Sequence, residues 1–281
     1  MLSYRHAFHA GNHADVLKHL LLVQLIDYLK QKDKSIWVID THAGAGLYEL
    51  DSGYATKLNE YEAGIGRLWS RTDLPAPIKE YVDLIRQLNP DGKLRLYPGS
   101  PWLALHTLRD QDRLRLFELH SSDARHLQEN FKGAGRRVTI SSGDGFAGLK
   151  AMLPPPPRRG LILIDPSYEM REDYQHVLHA LRDSLPRFAT GLYALWYPQL
   201  ARAESTELPE KLKRLVGKNW LHVALTVRTP AAEGIGMHGS GMFIVNPPWT
   251  LHAMLKEMMP YLVTTLGQDA GAKFILEQKA D

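Results

Sequence analysis

Five apolar residues in a row, Gly160-Leu161-Ile162-Leu163-Ile164, constrain this chain more than any other stretch. The run is short for a helix and has no polar side for water, so it reads as a strand covered on both faces. Strands of that kind sit in mostly parallel sheets layered between helices. Ligands of such sheets bind beyond the carboxyl ends of the strands. This strand ends in Asp165-Pro166-Ser167-Tyr168, and that position makes the segment a candidate for chemistry.

The segment suits one task, holding the exocyclic amino group of a nucleobase for methylation. The Asp165 carboxylate and the Pro166 carbonyl are acceptors, an amino group carries two N–H donors, and the Tyr168 ring offers a face for stacking. Adenine N6 or cytosine N4 is a poor nucleophile because its lone pair is delocalised into the ring. Two acceptors pulling on its hydrogens favour the geometry in which that lone pair points at an electrophile.

The rest of the chain alternates strand and helix. Residues 13–31 read as an amphipathic helix with Val16, Leu20, Val23 and Ile26 on one face. Ile36 to Asp40 reads as a buried strand, followed by the loop Thr41-His42-Ala43-Gly44-Ala45-Gly46. Residues 47–97 are charged, with amphipathic helical stretches near 59–70 and 75–89, and read as an insertion. Ser100 as N-cap and Pro101 at the first helical position start a helix to about Arg109.

Further strands are expected at 113–118, 137–141, 190–196, 222–228 and 242–245. Helices are expected at 123–131, 171–185, 205–217 and 249–259, with a tail closing the chain. The expected fold is α/β, a mostly parallel seven-stranded sheet with a C-terminal antiparallel hairpin and a small helical insertion. The boundaries are 1–46 for an N-terminal motif and first strand, 47–97 for the insertion, and 98–281 for the remainder.

With 281 residues, one α/β domain plus an insertion fits the length. No cysteine occurs, which excludes disulfides, thiolate metal sites and a cysteine nucleophile. No run of eighteen apolar residues occurs, and the start Met1 to His6 has no apolar signal region, so a cytoplasmic protein is expected. A net charge of +3 permits a nucleic-acid partner without demanding one.

Four strand ends carry ligand-type groups in order: the Gly44/Gly46 loop, Glu118, Asp144 and Asp165. Glu118 is placed to accept both hydroxyls of a ribose, and Asp144 to accept from an adenine amino group. The order fits S-adenosylmethionine better than NAD, for which G-x-G-x-x-G should follow the first strand and open a helix. Gly234-Ile235-Gly236-Met237-His238-Gly239 has those letters but precedes a strand, so it reads as a hairpin connection.

Taken together, the motifs resemble the RlmJ family of 23S rRNA adenine-N6 methyltransferases over essentially the whole chain. The stretches that carry the likeness are Phe8 to His19, Asp40 to Gly46, Tyr97 to Pro101, Glu118-Leu119-His120 and Asp144-Gly145-Phe146. Gly160 to Pro166, Tyr193 to Pro198, Gly241-Met242 and Asn246-Pro247-Pro248-Trp249 also match. The resemblance implies a class I, Rossmann-like methyltransferase fold with S-adenosylmethionine as cofactor. It implies cofactor contacts from Lys18, His19, His42, Ser100, Glu118, Gly143 and Asp144, to which Gly44 of the loop and Asp165 are added. It implies that Asp165 acts on the adenine amino group and that the insertion helps to grip RNA. The candidate catalytic set is Asp165, Pro166 and Tyr168; the candidate substrate contacts are Tyr4, His6 and Tyr168; no metal site is expected. The expected partner is 23S rRNA, protein-free or in an early assembly intermediate, met by a monomer. The chain departs from the family's Asp-Pro-Pro-Tyr pattern at Ser167.

Competing readings attach to the same residues. Asn246-Pro247-Pro248-Trp249 also has amino-methyltransferase letters, but it follows the last strand and reads as a rigid strand exit. His9 and His13 are four apart, yet Gly11-Asn12 breaks a helix there, so a metal pair is disfavoured. Arg158-Arg159 and the Lys211/Lys213/Arg214 face read as solvated surface; Arg158-Arg159, just before the catalytic strand, can also hold phosphates. The rival functions are a DNA adenine-N6 methyltransferase and a non-catalytic RNA-binding protein on a methyltransferase scaffold.

Overall fold

The computed structural model describes residues 6–51, 58–231 and 236–280. Ten strands occur among them: β1 (Trp37–Asp40), β2 (Leu47–Glu49), β3 (Leu96–Pro98), β4 (Arg113–Glu118), β5 (Val138–Ser142), β6 (Gly160–Ile164), β7 (Leu192–Gln199), β8 (Trp220–Thr226), β9 (Gly239–Val245) and β10 (Lys273–Lys279). Eight of them form one sheet in the order β10-β8-β9-β7-β6-β1-β4-β5. The run from β5 through β4, β1 and β6 to β7 is parallel at every pairing. β9 runs antiparallel to both β7 and β8, and β10 antiparallel to β8. This is the mostly parallel arrangement with antiparallel C-terminal strands that the sequence suggests. The sheet has eight strands rather than seven. The tail supplies the extra one, β10, an edge strand exposed at most positions. Its residues show no buried face, so periodicity gave no sign of it.

β6, β8 and β9 are buried at every position, which requires helices on both faces of the sheet. Helix α1 (His13–Lys30) packs against β6, β7 and β9. Two helices of the insertion, α2 (Gly66–Trp69) and α3 (Ala76–Leu88), precede α4 (Ser100–Thr107), which lies along α1. Then follow α5 (Ser121–Asn130), α6 (Gly145–Met152), α7 (Glu172–Arg187), α8 (Ala203–Val216) and α9 (Leu251–Leu266).

α1 is not the one-sided helix its spacing suggests. Every residue from His13 to Val23 is buried, including Asp15, Lys18 and His19. The insertion covers its outer side: Ile65, Leu68, Ile78, Tyr81, Val82 and Ile85 share one core with Leu17, Leu20 and Leu21. The described residues of 58–97 therefore pack into the same core as α1. The insertion closes on itself through the β2–β3 pair. The cap of α4 also differs from expectation. Gly99 is the N-cap, and Ser100 is the first helical residue, its hydroxyl turned to Asp40.

β1 and β6 are neighbours, while the chain from β1 pairs next on the other side with β4. The connections leave in opposite directions here, and this opens a crevice at the carboxyl ends of the strands. Asp40 ends β1 and Asp165 follows β6, so two carboxylates meet at that crevice. Because β9 is antiparallel, Asn246-Pro247-Pro248-Trp249 lies at the opposite end of the sheet.

Candidate active site

A cavity of about 750 Å³ opens at this crevice. Its lining includes His42 and Gly44 after β1, Glu118 at the end of β4, Asp144 after β5, and Asp165, Pro166 and Ser167 after β6. His6, Lys18 and His19 line it from the N-terminal segment and α1, and Ser100 from the start of α4. The expected residues thus converge, with three exceptions. Tyr4 lies outside the described residues. Gly143 is not among the lining residues; its N–H donates to the Glu118 carbonyl at 3.0 Å.

Tyr168 is the third exception and corrects the expectation of an open stacking face. Its side chain is only 2% exposed, its hydroxyl donates to the Trp196 carbonyl at 2.7 Å, and its ring packs 4.6 Å from that of Tyr174. A left-handed backbone, φ +52°, turns the ring inward. That conformation is rare for a bulky residue and is held here by packing on every side. The aromatic ring that does line the cavity is Trp196, on β7 beside β6.

Asp165 is gripped by Lys18, whose ammonium donates to Asp165 Oδ2 at 2.6 Å and lies 2.9 Å from Asp15 Oδ1. The other oxygen, Asp165 Oδ1, accepts from none of the described groups. Asp15, 2% exposed, takes the Gly11 N–H and His6 Nε2 on its second oxygen, each at 2.9 Å. Burial works against its charge, yet His6 and Lys18 hold its carboxyl well below the usual carboxylate range. Lys18 is likewise buried, and Asp15 and Asp165 outweigh that burial to raise its pKa, so it stays cationic. For Asp165 burial wins over Lys18, and its carboxyl sits above the ordinary carboxylate value. The ammonium also lies 5.6 Å from the centre of the Trp196 ring.

The glycine loop is shaped by Glu118. Its carboxylate accepts from the N–H groups of Gly44 and His120, each at 2.7 Å. Burial raises the Glu118 pKa above the ordinary value against those two hydrogen bonds. Gly44 has φ +62°, and a Cβ there would collide with the Tyr48 hydroxyl. A Cβ on Gly145 would strike the Thr41 carbonyl, so the start of α6 lies tight against the β1 loop. That contact sets Asp144, the N-cap of α6, beside His42, whose ring packs 4.9 Å from Phe146. Burial brings His42 down to about 4, leaving a neutral imidazole. Asp40 accepts from the Ser100 hydroxyl at 2.6 Å, and burial pushes its carboxyl up to about 6 despite that bond. His19 is held neutral by burial, with Nδ1 2.8 Å from the Tyr97 hydroxyl.

The arrangement provides what a nucleoside-bearing methyl donor requires: a bare glycine loop, a fixed carboxylate at the second strand end, and a helix N-terminus at the third. The residues present fit S-adenosylmethionine. Three residues not singled out from sequence also belong to this arrangement: Asp15 and Trp196 line the cavity, and Asp40 lies behind it, accepting from Ser100. Asp40 obeys the strand-end rule that singled out Asp165, whereas Trp196 lies within β7, one residue past Leu195, the partner of Ile164. Asp15 and Lys18 are three apart on α1, a spacing that pairs opposite charges. The β8–β9 connection adds Arg228 and Met237 to the far wall. The first two residues of Gly234-Ile235-Gly236-Met237-His238-Gly239 lie outside the described residues, and Gly236 also lines the cavity.

A model of the family described as "Ribosomal RNA large subunit methyltransferase D, RlmJ" matches residues 33–276. The chain is similar to ribosomal RNA large subunit methyltransferase J of Haemophilus influenzae, 47% identical over 278 residues, with 99% of this chain and 98% of that protein covered. The Escherichia coli protein of the same name is 47% identical over 266 residues, covering 95% and 94%. A crystal structure of a Legionella pneumophila protein superposes with a TM-score of 0.89 at 36% identity, covering 96% of this chain and 98% of that one. A match of this extent, together with the strand-end carboxylates, shows that the chain belongs to the RlmJ family of ribosomal RNA large subunit methyltransferases.

Proposed function

We propose that this protein transfers the methyl group of S-adenosylmethionine to N6 of one adenine of 23S rRNA. The observation that carries the reading is the half-satisfied Asp165 carboxylate at the mouth of β6. One oxygen is taken by Lys18 and the other is open beside Pro166.

Glu118, Gly44, His42, Asp144 and Ser100 would hold the cofactor, which supplies a sulfonium methyl group as the electrophile. The target base must leave its stack to enter, at a cost of roughly a few kcal/mol. Asp165 Oδ1 and the Pro166 carbonyl accept the two amino hydrogens and turn the nitrogen lone pair away from the ring. Lys18 fixes the carboxylate so that only Oδ1 faces the base. Trp196 bounds the same space with an aromatic face, the role first assigned to Tyr168. As the nitrogen gains its methyl group it becomes positive, opposite the Asp165 carboxylate. The surplus proton passes to Asp165, whose raised pKa suits it as an acceptor.

The test is incubation of the protein with radiolabelled S-adenosylmethionine and unmodified 23S rRNA, followed by nucleoside analysis. N6-methyladenosine at one position is expected. Asp165→Ala should reduce turnover by ~10²–10³ while S-adenosylhomocysteine affinity stays within a few-fold. Label in another nucleoside, or in DNA at equal rate, would overturn the assignment.

A further inference from the structure

Two motifs left unused by the active site meet at the other end of the sheet. Arg158 and Arg159 precede β6, so they lie about 16 Å or more from Asp165 along that strand. With Lys32, Lys34, Asp33 and Thr190 they line a second cavity of about 660 Å³. Four cations face one carboxylate there. Arg159 is committed, donating to the Leu29 and Lys34 carbonyls at 2.6 Å each. Arg109 donates to the carbonyls of Lys30, Lys32 and Lys34. Both arginines satisfy the carboxyl end of α1 and make its exit turn rigid.

Lys32, Lys34 and Arg158 have no ion-pair partner among the described residues, and all three are exposed. Arg158 is held at φ +51° by its own N–H to the Pro155 carbonyl, after the proline run. A long cationic side chain is thus displayed from a strained backbone. Asn246-Pro247-Pro248-Trp249 adjoins the same place. Asn246 Nδ2 donates to the Ala189 and Gly191 carbonyls at 2.8 and 2.7 Å, on either side of Thr190. Trp249 then stands 84% exposed. An indole left in water at the same end of the sheet as uncommitted cations matches the chemistry of single-stranded nucleic acid, phosphates on the cations and a base on the ring.

We propose that this end of the sheet is a second RNA-contact surface. Lys32, Lys34 and Arg158 hold backbone phosphates, and Trp249 stacks an unpaired base of the RNA whose target nucleotide enters the active site. The proposal rests on the reading of RNA as substrate. It gives the RNA a grip far from the reacting atoms, so it should act on binding and not on the chemical step.

The experiment uses the full chain and unmodified 23S rRNA, with filter-retention binding and methylation kinetics from about 50 to 200 mM salt. Lys32→Gln/Lys34→Gln/Arg158→Gln should weaken RNA binding and raise KM about tenfold with kcat unchanged. The slope of log affinity against log salt should become shallower by ~2–3 for three phosphate contacts. Trp249→Ala should weaken binding ~5-fold or more with the salt slope unchanged, because stacking releases no counterions. S-adenosylhomocysteine affinity and circular dichroism should match the wild type in both. Wild-type affinity and slope in both variants would overturn the proposal. So would a defect seen only when ribosomal proteins are present, since it would assign the surface to a protein partner. Wild-type methylation reports the functional reading separately, and retention reports the surface whether or not methyl transfer occurs.

Discussion

Lys18→Met is the sharpest perturbation of the site. It keeps most of the aliphatic stem and removes the ammonium that lies 2.6 Å from Asp165 Oδ2 and 2.9 Å from Asp15 Oδ1. Asp15 retains His6 and the Gly11 N–H, so the loss falls mainly on Asp165. Removing one partner of a buried ion pair costs about 3–5 kcal/mol. For 281 residues at ~2.1 cal/mol/K each, the unfolding entropy near the midpoint is ~0.6 kcal/mol/K, so Tm should fall by ~5–8 °C. The Asp165 pKa, already raised by burial, should rise further without its cation. Turnover at neutral pH should therefore drop, and recover in part as pH is raised and the carboxyl ionises. The assays are thermal and urea unfolding together with a single-turnover pH profile at saturating cofactor. In the double variant Lys18→Met/Asp165→Asn, the destabilisation should be well below the sum of the two single ones, because a neutral amide needs no counter-charge. Additivity to within ~0.5 kcal/mol would refute the coupling, as would wild-type stability of Lys18→Met.

Three further outcomes follow from the same geometry. Glu118→Gln should weaken S-adenosylhomocysteine binding ~10-fold or more in calorimetry, since a charge-assisted acceptor contributes about 1.5–3 kcal/mol; unchanged affinity would place the ribose elsewhere. Tyr168→Phe should cost about 1–2 kcal/mol of stability by orphaning the Trp196 carbonyl, with turnover within a few-fold; a collapse of turnover in a stable variant would return that hydroxyl to the chemistry. His13 is buried and brought down to about 4 from 6.5, so the unfolded chain takes up its proton first as pH falls. Stability is lost between pH 6.5 and 4 at up to ~1.4 kcal/mol per pH unit, and His13→Gln should flatten that limb in urea melts at pH 7.5 and 5.5. Asp40, raised to about 6, opposes this trend by gaining stability on acidification, so only the difference between variant and wild type isolates His13.

The chain's own pattern determined the sheet's central strand and the end of it that carries chemistry. Gly160 to Ile164 can be covered on both faces only inside a layered sheet, and parallel strands bring their carboxyl ends to one side. Glu118, Asp144 and Asp165 therefore had to meet once the strands were recognised, whatever the loops between them did. Tertiary packing decided where individual side chains point. Lys18 reaches Asp165 across 147 positions of sequence, a pairing that no local period encodes. Tyr168 turns inward because its left-handed backbone and the Trp196 carbonyl hold it there, and the letters Asp-Pro-Ser-Tyr do not specify that dihedral. α1 is buried on all sides because the insertion folds back over it. β10 is a strand because β8 left an open edge. The antiparallel course of β9 sends Asn246-Pro247-Pro248-Trp249 to the far end, the end that also carries Arg158. Periodicity reports the state of a segment against its nearest layer, whereas these features depend on which layer arrives from elsewhere in the chain.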